Sequence, residues 1–306
     1  MTPPILIAVD PTRPDRESVV LGAALASAMG APVAVVAVYH HERFPTRSGV
    51  VIDDFDRESR DEAVAAVNEV AAGLDMHVET HVIGAPSRAR GLQDLAERLA
   101  PAVLVLGSTH RGRVGRVLIG GTAEHLLHGA PCPVAVAPPG LAAGAVALGR
   151  IGVGFVETDD GHEALRGAVA LARGLRATLR LLAVDEQPPY TSAAVAPGYG
   201  SPQLERMVRE ERRADLERAA AAVPGGVVAE SVLLDRSAAS ALIEASEDLD
   251  LLVCGSRGYG VVGRVLLGSV SRHLVRDAAC PVIVVPRNGA AALEGLAETV
   301  GAEAAR

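Results

Sequence analysis

GSRGYGVVGRVLLGSVSRHLVRDAACPVIVVP, residues 255–286, has an earlier counterpart in the same chain: GSTHRGRVGRVLIGGTAEHLLHGAPCPVAVAP, residues 107–138. The two align without a gap at an offset of 148, and 17 of the 32 positions are identical. Self-similarity at a fixed spacing marks a repeated structural unit. The unit starts agree as well, with ILIAVDPT (5–12) against IGVGFVET (151–158). A duplicated domain is therefore expected, one copy over residues 1–140 and the other over 148–289. PPGLAAGAVALG (138–149) reads as the linker between them, and residues 290–306 as a tail forming a frayed or partner-dependent helix.

Each copy alternates apolar runs with helical stretches. The runs are ILIAV, PVAVVAV, MHVETHVI, AVLVLG and PVAVAP in the first copy, and IGVGFV, LRLLAV, VVAESVLL, LDLLVCG and PVIVVP in the second. Most are almost continuously apolar, as parallel strands buried on both faces must be. SVVLGAALASAMG, RDEAVAAVNEVAAGL, GLQDLAERLA and AEHLLHGA supply the helices of the first copy. The expected fold is α/β: two tandem Rossmann-like domains, each a doubly wound, five-stranded parallel sheet. In such sheets ligands bind outside the carboxyl ends of the strands. The glycine-rich stretch follows the fourth strand of each copy, at that edge.

Composition narrows the function. The chain has 306 residues, 49% hydrophobic and 22% charged, which suits packed cores. Its net charge of −8 and lack of an arginine run disfavour nucleic acid as a partner. No apolar stretch approaches the length of a membrane span, and MTPPILIAVD lacks the basic start and apolar core of a leader. Three cysteines, Cys132, Cys254 and Cys280, fit a reducing cytoplasm better than a disulfide framework. There is no lysine; all 29 basic residues are arginine. That excludes a Walker A phosphate loop, protein-kinase chemistry and a Schiff base, each of which needs a lysine amine.

Five glycines stand in 255–269: Gly255, Gly258, Gly260, Gly263 and Gly268. Glycine is kept where the backbone takes unusual angles or something approaches closely. Backbone N–H groups of such a loop, with the N-terminus of the helix that follows, suit a phosphate chain. Ser269 and Ser271 offer hydroxyls there, and Arg257 or Arg264 a charge. The plainer alternative is a turn whose glycines only pack helix against strand.

G255-x2-G258-x9-G268-S269 resembles the nucleotide motif of the universal stress protein family, and the repeat, the element order and the closing CPVxVVP strand extend that resemblance over nearly the whole chain. The resemblance implies ATP as ligand, with or without Mg²⁺, and an aspartate closing the first strand at the nucleoside end. Asp10 stands there in the first copy and Val156 in the second. The first-copy loop has His110 where the second glycine belongs, and Gly120-Gly121-Thr122 where Gly-Ser is expected. The implied nucleotide residues are Asp10, Val38, Gly107, His110, Gly120, Gly121 and Thr122 in one copy, and Val184, Gly255, Gly258, Gly268, Ser269, Val270 and Ser271 in the other. The second copy thus keeps the phosphate cradle and the first the carboxylate, so firmer ATP binding is expected in the second. Last strands of this family commonly pair between domains, so PVAVAP and PVIVVP are expected to pair within the chain as a pseudo-dimer.

The other candidates carry less. His125 and His128 lie a helical turn apart without further ligands, so a metal is not expected. His77 and His81 share a strand face, and Cys132 with Cys280 would be a redox pair only if the fold joined them. QLERMVREERRADLERA (203–219) reads as a solvated helix, and 41–54 and 187–202 as loops after the second strands. Three readings follow. The first is a cytoplasmic ATP-binding stress sensor or regulator, self-associating, with an unidentified protein partner and no catalytic base for fast hydrolysis. The second is a scaffold with vestigial sites. The third, an adenylating ATP pyrophosphatase, lacks its SGGxDS loop in ILIAVDPTRPD and IGVGFVETDD.

Overall fold

The computed structural model describes residues 2–12, 16–41, 52–108, 121–141, 146–186, 202–256 and 268–304. The first copy runs β1 (Ile5–Val9), α1 (Arg16–Met29), β2 (Val33–His40), α2 (Ile52–Gly73), β3 (Val78–Ala85), α3 (Arg88–Leu99), β4 (Val103–Gly107), α4 (Gly121–Gly129) and β5 (Val134–Ala137). The second runs β6 (Arg150–Gly154), α5 (Asp159–Leu175), β7 (Thr178–Asp185), α6 (Pro202–Ala221), β8 (Ala229–Asp235), α7 (Ala238–Ala245), β9 (Leu251–Gly255), α8 (Ser269–Asp277) and β10 (Val282–Val285), and α9 (Ala290–Ala304) follows.

The ten strands among the described residues form one sheet in the order β3-β2-β1-β4-β5-β10-β9-β6-β7-β8. Every pairing is parallel except β5 with β10, which is antiparallel and joins the copies. The expected pseudo-dimer is thus present. Both faces of the sheet are buried, and successive residues point to opposite faces. Ile5, Ile7 and Val9 of β1 face the layer of α1, α2, α5, α6 and α9, whereas Leu6 faces α3, α4, α7 and α8. That two-sided burial is why the strands read as unbroken apolar runs.

Two expectations change, and the cysteine question closes. The tail is not a frayed helix: α9 packs along α5, with Ala290, Leu293 and Leu296 fully buried. Its apolar residues recur at helical spacing on one face, and its partner is within the chain. Helix α2 begins at Ile52, inside the segment read as a loop over 41–54, whereas 187–201 lie outside the described residues. Cys132 and Cys280 cannot pair, because the antiparallel register sets Val134 opposite Val284. Continued outward, it leaves the two cysteines about 20 Å apart along the strands. All three thiols are buried, and burial pushes each up to about 12.

Of the histidines, His77 precedes β3, and only His81 lies on it. His125 and His273 each place Nδ1 on the carbonyl four residues back, Gly121 at 2.6 Å and Ser269 at 2.7 Å. Those bonds use the ring within its own helix, and among the described residues no metal-binding cluster forms.

Candidate functional site

In the first copy a pocket opens at the carboxyl ends of β1, β2 and β4, the edge where a parallel α/β sheet binds ligands. Val9, Asp10, Val38 and Gly107 line it from the sheet, Arg88 and Leu92 from α3, and Thr122 from α4. Four of these, Asp10, Val38, Gly107 and Thr122, were implied from the sequence and meet here. Gly121 opens α4 beside Thr122. His110 and Gly120 lie outside the described residues.

Asp10 is held from two sides. Its Oδ1 accepts from the Thr12 amide at 2.9 Å and the Thr12 hydroxyl at 2.7 Å, and its Oδ2 accepts from an Nη1–H of Arg88. Burial raises the carboxyl, but the Thr12 hydroxyl, the Thr12 amide and Arg88 together outweigh it, so Asp10 ionises below its ordinary value. Arg88 opens α3, whose N-cap Ser87 accepts from the Arg90 amide at 3.2 Å. A carboxylate has about four acceptor positions and three are engaged, leaving Asp10 able to take a further hydroxyl. The pocket therefore offers a carboxylate acceptor, paired with Arg88, beside the apolar side chains of Val9, Val38 and Leu92.

Arg88 is the charged residue that sequence reasoning missed, and the apolar Val9 and Leu92 of the lining were not singled out either. Arg88 belongs to no motif and lies 78 positions from Asp10. A faint signal existed in the second copy. Ser237 caps α7 as Ser87 caps α3, accepting from the Ser240 amide at 3.4 Å. Matching the caps sets Ala238 at the place of Arg88, and Val156 already stands at the place of Asp10. Both members of the ion pair are absent together. Losing both together avoids leaving a partly buried charge without its partner.

The second copy also explains part of its glycine run. A side chain on Gly255 would lie 2.7 Å from the carbonyl oxygen of Asp160, in the first turn of α5. What comes close at Gly255 is therefore backbone of this chain. Ser271 is buried, and its hydroxyl donates to the Gly255 carbonyl at 2.9 Å, tying α8 to β9. Gly268 is the N-cap of α8 without a side-chain cap bond, and Ser269 and Val270 open the helix. Val184 is half-buried near the end of β7. Gly258, Arg257 and Arg264 lie outside the described residues.

A model of the universal stress protein family matches residues 1–138 and 148–286. A universal stress protein of Mycobacterium tuberculosis is 32% identical over 271 residues, covering 82% of this chain and 89% of the relative. One from Thermus aquaticus is 37% identical over 129 residues, covering 40% of this chain and 90% of its own length. In structure, the chain is similar to a universal stress protein from Archaeoglobus fulgidus, with a TM-score of 0.65 at 19% identity, covering 92% of this chain and 98% of that one.

Proposed function

The chain belongs to the universal stress protein family, and from that premise we propose that it is a cytoplasmic, nucleotide-responsive regulator that binds ATP at the carboxyl edge of its sheet. The observation that carries this reading is the first-copy pocket. An ionised Asp10 stands at the end of β1, with Val38, Gly107 and Thr122 around it. In this reading Asp10 takes the ribose hydroxyls, Val38 and Leu92 bound the base, and the opening of α4 receives phosphate. The second copy presents Val156, Ala238 and Leu242 at the matching places, so it discriminates the nucleoside poorly and depends on the segment carrying Gly258 for phosphate. The two sites are unequal. With no lysine in the chain and no base assigned beside the pocket, hydrolysis is slow or absent. No helix among the described residues is long and apolar enough to cross a membrane.

A calorimetric titration of Mg²⁺–ATP into nucleotide-stripped protein tests this. Saturable binding is expected, weakened in one component by Asp10→Ala and abolished in the other by Gly258→Val. Heat that never saturates would overturn it and favour the scaffold reading. The observation behind that alternative is Ser271, whose hydroxyl is engaged inside the fold.

A further inference from the structure

The joint between the copies brings residues at matching repeat positions into contact with one another. Ala135 of β5 lies directly opposite Ile283 of β10. Those numbers differ by 148, the repeat offset, so a pseudo-twofold axis passes between them. Flanking pairs place valine on valine, Val136 with Val282 and Val134 with Val284. At the axis the pair is unequal, a methyl against a sec-butyl, both fully buried on the same face.

The same asymmetry recurs in both helix layers. Glu124 of α4 and Arg272 of α8 also differ by 148, and Arg272 Nη2 lies 3.2 Å from Glu124 Oε1. In the opposite layer Met29 of α1 meets α5, where a side chain on Gly174 would come within 2.5 Å of the Met29 methyl. The ends of these helices align at an offset of 146, because Gly30 and Arg176 both close them in the left-handed conformation, at φ 57° and 53°. The first-copy counterpart of Gly174 is therefore Ala28, an exposed residue that carries a methyl where Gly174 has none.

We infer that the joint is built to take unlike halves, a first copy with a second, and to reject two like halves. Two first copies would set Glu124 against Glu124, leave Ala135 against Ala135 and bring the Ala28 methyl to the flexible end of Met29. Two second copies would set Arg272 against Arg272 and crowd Ile283 against Ile283. Like charges in contact and mismatched core volumes each disfavour those pairings, whereas the unlike pairing satisfies all three contacts. The valine pairs are indifferent to partner, so selection resides at these positions and not in strand pairing as such.

The test keeps the chain whole until it has folded. A protease site placed between residues 141 and 146 is cut in the native protein, and the halves are left to exchange at low concentration. Native mass spectrometry then counts the pairs. Unlike pairs are expected to exceed the statistical 2:1:1 mixture by about tenfold. A statistical mixture, or halves that part and stay single, would overturn the inference. Glu124→Arg with Arg272→Glu in the uncut chain gives a second measurement. Each single change should raise the unfolding constant severalfold, and the double change should restore it to within about twofold. A double change no better than the product of the singles would show that the charges do not choose.

Discussion

Replacing Asp10 by asparagine probes the pocket most directly. The change is nearly isosteric, but asparagine has one acceptor oxygen where aspartate has two. Thr12 donates to one side of Asp10 at 2.9 and 2.7 Å, and Arg88 donates to the other. Arginine has only donors, so the new NH₂ must face either the guanidinium or the Thr12 amide. A lost hydrogen bond to a charged group costs about 1.5–3 kcal/mol when buried. Arg88 is 40% exposed and can turn to water, which brings the expected loss to about 1–1.5 kcal/mol. The pH dependence gives the sharper signature. The folded carboxyl ionises below its ordinary 3.8, so its stabilisation is present above that value and fades as pH falls through the lower folded one. The chain has no tryptophan, so urea denaturation is followed by far-ultraviolet circular dichroism. The gap between native protein and variant should be constant from about pH 7 to about pH 5 and close towards about pH 3. A gap below about 0.3 kcal/mol at neutral pH, or one unchanged in acid, would refute the assignment of an ionised, doubly held Asp10.

Three further expectations concern the frame around the site. Gly255→Ala should cost about 1–3 kcal/mol, because the new methyl meets the Asp160 carbonyl, and an unchanged melting temperature would contradict that approach. Leu293→Ala in α9 should cost about 2–5 kcal/mol, whereas a helix not docked on α5 would lose nothing in the same thermal scan. The thiols stay protonated in the fold to about 12 but ionise near 9 once unfolded, so stability falls as pH rises above 9. Each thiol contributes a slope of about 1.4 kcal/mol per pH unit there. Without lysine, only tyrosine shares that range, so a triple Cys→Ala variant should lose most of the slope in denaturation series from about pH 9 to about pH 11.

The strands were legible because parallel strands buried on both faces leave an unbroken apolar trace. The repeat doubled the signal, and the pairing of PVAVAP with PVIVVP followed from the family resemblance. Helix α9 was misread because a short helix with a small apolar face looks alike whether it docks within the chain or outside it. Alanine and glycine make that face faint in AAALEGLAETVGAEA. Asp10, Val38, Gly107 and Thr122 were named because the family resemblance implies them, and the fold brings all four to the ligand edge. Arg88 was not, because an ion pair across 78 residues leaves no periodic trace. Gly255 and Ser271 show the opposite limit. A residue type that suits phosphate equally suits a close backbone contact, and only the fold shows Asp160 and the Gly255 carbonyl beside them.

The antiparallel seam at β5 and β10 reverses the second copy relative to the first. The strand ends that hold Asp10 therefore point one way and those near Val156 the other. Five strand spacings separate β1 from β6, about 24 Å across the sheet, and their carboxyl ends lie on opposite rims. No single small molecule can span the two rims. Whatever couples the two rims must either embrace the molecule from two sides or act through ten hydrogen-bonded strands.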